Sequence, residues 1–333
     1  MKKYDVYGIG NALVDVEFEV EVDFLNKHEV AKGMMTLVDE QRQHTLVNEI
    51  KAAQVKKQSG GSAANTIIAV NQFGGKSFYS CKVANDDYGK FYMDDLKSSG
   101  VDTNLNGFDL EEGITGKCLV MVTPDADRTM NTFLGITSSL NKHALNEQAL
   151  ADSSYLYIEG YLVTGQESLE AMKEAKALAE KHQVKTSITL SDPSIVQYFK
   201  QGFEDVIGNG VDLLFCNEEE AFTYTGKSNL LEAREQLKYT AKSFAITLGK
   251  NGAMIFDGDT FIDIESFPVQ AIDSNGAGDM FAGAFLYGLT HGHSHAQAGK
   301  IASMASSQVV SKFGPRLEWH QAKGVLNHIF QVD

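Results

Sequence analysis

Residues 155–192, YLYIEGYLVTGQESLEAMKEAKALAEKHQVKTSITLSD, decide the fold. The short apolar run YLYIEG at 155–160 is followed by ESLEAMKEAKALAEKHQ at 167–183, where apolar residues return every three or four positions. A second apolar run, TSITLSD at 186–192, comes next. Short apolar runs separated by an amphipathic helix are strands buried on both faces, and strands joined through a helix run parallel. The unit recurs downstream, where VDLLFCN at 211–217 and SFAITLG at 243–249 are separated by helical stretches. Upstream, YDVYGIG at 4–10 reads as a buried strand, and helices are expected over 62–73 and over 86–99, the latter closed by Gly100. Two long helices, 276–290 and 294–312, and a last amphipathic one complete the pattern. The expected fold is α/β, a three-layer α/β/α core around a mostly parallel sheet.

Two segments break this pattern. Val16 to Asp23 alternates apolar and acidic residues, the period of a strand with one apolar face. Residues 116–134 read as a hairpin about the turn Pro124-Asp125-Ala126-Asp127. They predict a small, discontinuous β-sheet built from 11–36 and 109–135, leaving 1–10, 37–108 and 136–333 for the core. Its free face would serve either as a lid over a site or as an ordinary edge meander.

Composition narrows the function classes. The 333 residues are 43% hydrophobic and 22% charged with four prolines, which fits a globular chain with a large core. Twenty-nine Lys and Arg against 44 Asp and Glu give a net charge of −15, so nucleic acid and anionic membrane surfaces are not expected as partners. Any anionic substrate must be met by a local positive feature. Cys81, Cys118 and Cys216 are odd in number and widely spaced, so neither a disulfide framework nor a zinc site is implied, and a cytoplasmic location is expected. Acidic residues interrupt the apolar stretches at the start of the chain and at 276–290, so no export or membrane-spanning segment is expected.

The strongest chemical motif is Asp273-Ser274-Asn275-Gly276-Ala277-Gly278-Asp279, between the expected strand VQAI at 269–272 and the helix MFAGAFLYGL. Glycines at a helix start leave backbone N–H groups bare beside the positive end of the dipole, which makes an anion cradle. Asp279, just inside it, is placed to take a proton from a hydroxyl attacking an anion held there. The alternative use of the same residues is tight helix packing with Asp279 complementing the dipole. Two familiar phosphate loops fail: the Walker-like Thr225-Gly226-Lys227-Ser228 has Ala221 where the first glycine is required, and Gly8-Ile9-Gly10 has Leu13 as its third position. Gly60-Gly61-Ser62-Ala63-Ala64-Asn65 opens a helix, with Ser62 as a possible N-cap and Asn65 offering a donor and an acceptor. Asn217 and Glu220, at the end of a strand, are spaced to hold a hydrated Mg²⁺ or simply to begin a helix. Thr247-Leu248-Gly249-Lys250-Asn251-Gly252-Ala253 is a tight strand-to-strand turn against which a nucleotide fits.

In this order the motifs resemble the ribokinase-like (PfkB) family of sugar and nucleoside kinases over essentially the whole chain. GNALVDV at 10–16, GGSAANT at 60–66, SDPSIVQYF at 191–199 and DLLFCNEEEA at 212–221 are similar to its adenosine-kinase branch. The resemblance implies ATP-dependent transfer of the γ-phosphate to a primary hydroxyl of a nucleoside, adenosine foremost, with a sugar such as ribose or fructose as the alternative acceptor. A non-catalytic relative that only holds a nucleotide is the alternative of another class. Asp279 would be the base, and the amides of Gly276, Ala277 and Gly278 the hole for the transferring group. Asp15, Gly61 and Asn65 would grip the acceptor's hydroxyls, with Asn11, Gly60 and Tyr161 beside them and Met34, Met35 or Tyr161 against a base. Asn217 and Glu220 would organise Mg²⁺ through water, and Thr247, Gly249, Gly252 and Ser274 would line the nucleotide. Arg128, on the hairpin, would swing onto the phosphates, and a K⁺ ion would lie near Asp273 and Phe313-Gly314-Pro315. Ser274 stands where many members have Thr, residues 191–194 lack the Asn and Arg common in sugar kinases, and Glu159 adds a carboxylate near the base. A monomer, or a homodimer through the lid, would follow.

Overall fold

The computed structural model describes residues 2–50, 54–107, 109–125 and 127–331, so Ala126 of the hairpin turn and the expected boundary at 108 lie outside it. Within it a nine-stranded sheet runs in the order Phe261–Ile264, Ala253–Phe256, Ala241–Thr247, Val211–Asn217, Lys185–Thr189, Ser153–Ile158, Tyr4–Ile9, Ser77–Ser80, Asp102–Thr103. The first two strands pair antiparallel and the rest parallel. Helices cover both faces, as the unbroken apolar strands require. Ser62–Gln72, Ala277–Thr290 and His295–Val310 pack on one side around Ile67, Phe281 and Ile301. Gln166–Lys181 and Pro193–Ile207 pack on the other around Met172 and Phe203. Among the described residues no helix is long and apolar enough to cross a membrane.

Register aligns the strand ends that build the site. Ile9 lies opposite Ile158, Thr189 opposite Phe215, and Asn217 opposite Thr247. Residues just beyond them, Asn11, Glu159, Ser191 and Gly249, therefore share one edge, the edge where open α/β sheets bind ligands.

The second sheet has five strands in the order Met35–Leu37, Arg128–Gly135, Thr115–Val122, Leu13–Glu19, Gln54–Gly60. It takes in Gln54–Gly60, which the pattern reading assigns to the core; this polar segment pairs antiparallel with Leu13–Glu19. The alternation at 16–23 does not persist as a strand. It ends at Glu19, and Val22–Lys27 is a helix that buries Leu25. The expected strand VQAI is not one either. Ile272 and Asp273 instead donate their N–H groups to the carbonyl of Val310.

Candidate active site

A cavity of about 470 Å³ opens between the sheet edge, the loop at 274–279 and the small sheet. Alternation on the small sheet supplies one wall: Met130, Thr132 and Leu134 from one strand, Leu13 and Asp15 from another. Asn11, Gly61, Asn65, Tyr161, Asn217, Glu220, Thr247, Gly249, Ser274, Gly276, Ala277, Gly278 and Asp279 all line it.

The helix Ala277–Thr290 begins behind Gly276, which is left-handed (φ 74°). A Cβ there would sit 2.2 Å from Pro315, so glycine is required both by the turn and by the neighbouring loop. Gly278 differs, since a Cβ on it would meet nothing within 4 Å. Asp279 lies in the first turn; its Oδ1 accepts from Ser62 Oγ at 2.6 Å and its Oδ2 from Asn65 Nδ2 at 3.2 Å. Two donors hold the carboxylate against the helix start.

The cavity gathers four carboxyls, Glu159 and Glu220 buried and Asp15 and Asp279 half-buried. Burial pushes the carboxyls of Asp15, Glu159 and Glu220 up to about 7. Asp279 is pushed to about 6 by the same cause, offset by the bonds from Ser62 and Asn65. Arg316 and Arg128 draw Asp15 back down. Glu159, 1% exposed, accepts the N–H of Asn11. Carboxyls raised above the ordinary value of about 4 bind protons in the folded chain that the unfolded chain has released. Their contribution is therefore complete below about pH 4 and lost as pH rises through 6 to 7. The melting temperature of the free protein is expected to fall by several degrees between pH 5 and pH 8, and Glu159→Gln to narrow that fall. Calorimetry showing a flat or rising profile would contradict this account of the cavity.

Asn217 and Glu220 close a reciprocal capping box. Glu220 N donates to Asn217 Oδ1 at 2.8 Å and Asn217 N to Glu220 Oε2 at 3.0 Å, and Asn217 Nδ2 also donates to Glu220 Oε1 at 2.7 Å. Among the described residues no group of three or more His, Cys, Asp or Glu is placed to ligate a metal directly. The pair fits a hydrated divalent cation held through water.

Four expected site residues, Gly60, Gly252, Arg128 and Met34, do not reach the cavity wall. Gly60 is needed where Asp15 packs, since a Cβ would lie 2.2 Å from the carboxylate, and Gly252 turns at φ 87° against the carbonyl of Ile264. Arg128 is buried, its Nη2 2.7 Å from Asp273 Oδ2 and 3.5 Å from Glu17 Oε2, so it ties the small sheet to the loop at 273. Asp273 also accepts from Asn275 N at 3.0 Å and Gly314 N at 2.9 Å. A guanidinium and two amides already answer its charge. Met35 and Tyr161 line the cavity, whereas Met34 is exposed.

The description pfkB family carbohydrate kinase matches residues 30–322. This chain belongs to the pfkB family. Adenosine kinase from Sinorhizobium meliloti superposes with a TM-score of 0.89 at 32% identity, over 97% of this chain and 99% of that one. A 5-dehydro-2-deoxygluconokinase from Bacillus licheniformis is 25% identical, over 93% of this chain and 91% of its own length. Adenosine kinase 1 from Arabidopsis thaliana is also 25% identical, over 92% and 94% respectively. This pfkB protein is a kinase with a hydroxyl acceptor, a nucleoside or a sugar.

Two polar contacts of this pfkB kinase escape the sequence reading. Ser62 is not an N-cap: Gly61 (φ 100°) takes that position, and Ser62, one residue inside, is free to hold Asp279. Only the serine after the glycine pair hints at it. Arg316 donates to Asn65 behind the cavity, and no local signal marks it, because its partners are more than 200 residues away in sequence.

Proposed function

We propose that the protein transfers the γ-phosphate of ATP to a primary hydroxyl of a nucleoside, with adenosine the favoured acceptor. The reading rests on one observation: a carboxylate held by two donors stands in the first turn of a helix whose opening residues, Gly276 to Asp279, line the cavity. Phosphoryl transfer needs little covalent chemistry from a protein, so position and charge carry it. The amides of Gly276, Ala277 and Gly278 hold the transferring group at the positive helix end, and Asp279 accepts the acceptor's proton. Asp15 and Asn65 face the acceptor's hydroxyls with Asn11 and Gly61 around them, and Thr247, Gly249 and Ser274 border the nucleotide. A divalent cation held through water by Asn217 and Glu220 would neutralise charge on the phosphates. The small sheet acts as the lid that excludes water from the transfer.

The apolar lid wall of Leu13, Met35, Leu37, Met130 and Leu134 favours a nucleoside over a free sugar. A sugar carries hydroxyls on every side and would leave some unpaired against this wall, whereas a purine offers it flat apolar faces. The sugar reading stands second, supported by the gluconokinase relative at the same identity as the plant adenosine kinase. ADP release measured over a panel of nucleosides and free sugars separates them. The expected result is turnover with adenosine at a KM at least about 10-fold below that of any free sugar, and the reverse order would favour the sugar reading.

A further inference from the structure

We infer that Arg316 is a positioning residue for the transfer, setting the Asn65 side chain so that its NH₂ group faces Asp279. The inference rests on the kinase reading above and concerns a residue outside the cavity wall. Arg316 follows Phe313-Gly314-Pro315 and is largely buried. Its Nε donates to Asn65 Oδ1 at 3.2 Å, its Nη1 to Asp95 Oδ2 at 3.0 Å, and its Nη2 to Ser59 Oγ at 2.9 Å and to the Ser59 carbonyl. Asp95 also accepts from the N–H of Ser59 at 2.9 Å and from its hydroxyl. The guanidinium thus joins the helix Asp87–Ser98, the strand Gln54–Gly60 of the small sheet and the helix Ser62–Gln72.

A guanidinium has only donors. The atom of Asn65 that meets Nε must be the carbonyl oxygen, which leaves Nδ2, 5% exposed with the rest of that residue, to face Asp279 Oδ2 at 3.2 Å. A flipped amide would set donor against donor at Arg316 and acceptor against acceptor at Asp279. One arm of Arg316 therefore governs the geometry of the base, while the other two anchor the arginine. The arms separate by mutation. Arg316→Met removes the Nε donor at similar volume, whereas Asp95→Asn keeps an acceptor for Nη1 and leaves Nε in place.

Kinetics on the full-length enzyme test the assignment. Arg316→Met is expected to lower kcat roughly 30- to 100-fold with KM for ATP within about threefold of wild type. Asp95→Asn should keep kcat within about threefold and lower the melting temperature instead. If Arg316 acts through Asn65, the double variant Asn65→Ala/Arg316→Met will be no slower than Asn65→Ala alone. Should Arg316→Met not fold, Arg316→Lys, which retains the charge beside Asp95 but not the fork, is expected to lose about 10-fold in kcat. A folded Arg316 variant with kcat within threefold of wild type overturns the inference, and so do losses that multiply with those of Asn65→Ala. Wild-type protein that turns over no acceptor overturns the kinase reading and this inference together, whereas turnover that survives Arg316→Met overturns this inference alone.

Discussion

Asp279→Asn is expected to yield a folded protein that binds ATP like the wild type and turns over at least about 10³-fold more slowly. The substitution preserves shape and removes the ability to take a proton. Its sign on stability is opposite to its sign on activity. The wild-type carboxylate is ionised above about pH 6 in a cavity that disfavours charge, so the neutral amide should leave the melting temperature at pH 8 unchanged or higher. A residue whose role is to complement the helix dipole would do the reverse, losing stability and keeping rate. Measured together, a turnover assay and a thermal melt distinguish the two; near-normal kcat in the variant ends the assignment.

The second large effect comes from contrasting two glycines of one loop. Gly278→Leu places a side chain in open space beside the cavity and touches nothing within 4 Å at its Cβ, so the fold should tolerate it. A bulky group there occupies the space an anion needs to approach the amides, and kcat/KM for ATP should fall at least about 100-fold. Gly276→Ala is expected to damage the fold itself, because its Cβ would lie 2.2 Å from Pro315 in a left-handed turn, and to lower the melting temperature by several degrees. ATP turnover by Gly278→Leu at the wild-type KM would show that the anion does not sit where the helix begins.

The parts of this architecture that show in the sequence are those set by local pattern. YLYIEG and TSITLSD are buried on both faces and so are apolar without a break, and the helix between them shows its period directly. The loop at 273–279 is legible because its turn into the helix is left-handed at Gly276 and packed against Pro315, which requires glycine there. What pairing decides over long range is not legible. QVKKQSG carries too few apolar residues to declare itself a strand, and becomes one only because Leu13–Glu19 offers an edge. VQAI has the composition of a strand, but its end bonds instead to the carbonyl of Val310 at the close of a helix. Gly60 and Gly252 sit beside site residues yet are dictated by the backbone and side chains packed on them, which spacing along the chain does not reveal. Arg128 reads as a hairpin arginine free to swing onto phosphates and Arg316 carries no local signal, yet both are largely buried against acids distant in sequence, Asp273 and Asp95.

The most direct test follows the labelled γ-phosphate of ATP through the wild-type protein with and without an acceptor. The arrangement at Asp279 predicts that label leaves ATP only when a nucleoside or sugar is present and appears on that acceptor's hydroxyl. Label released as inorganic phosphate at the same rate with no acceptor, or retained on ATP with every acceptor tried, would contradict it.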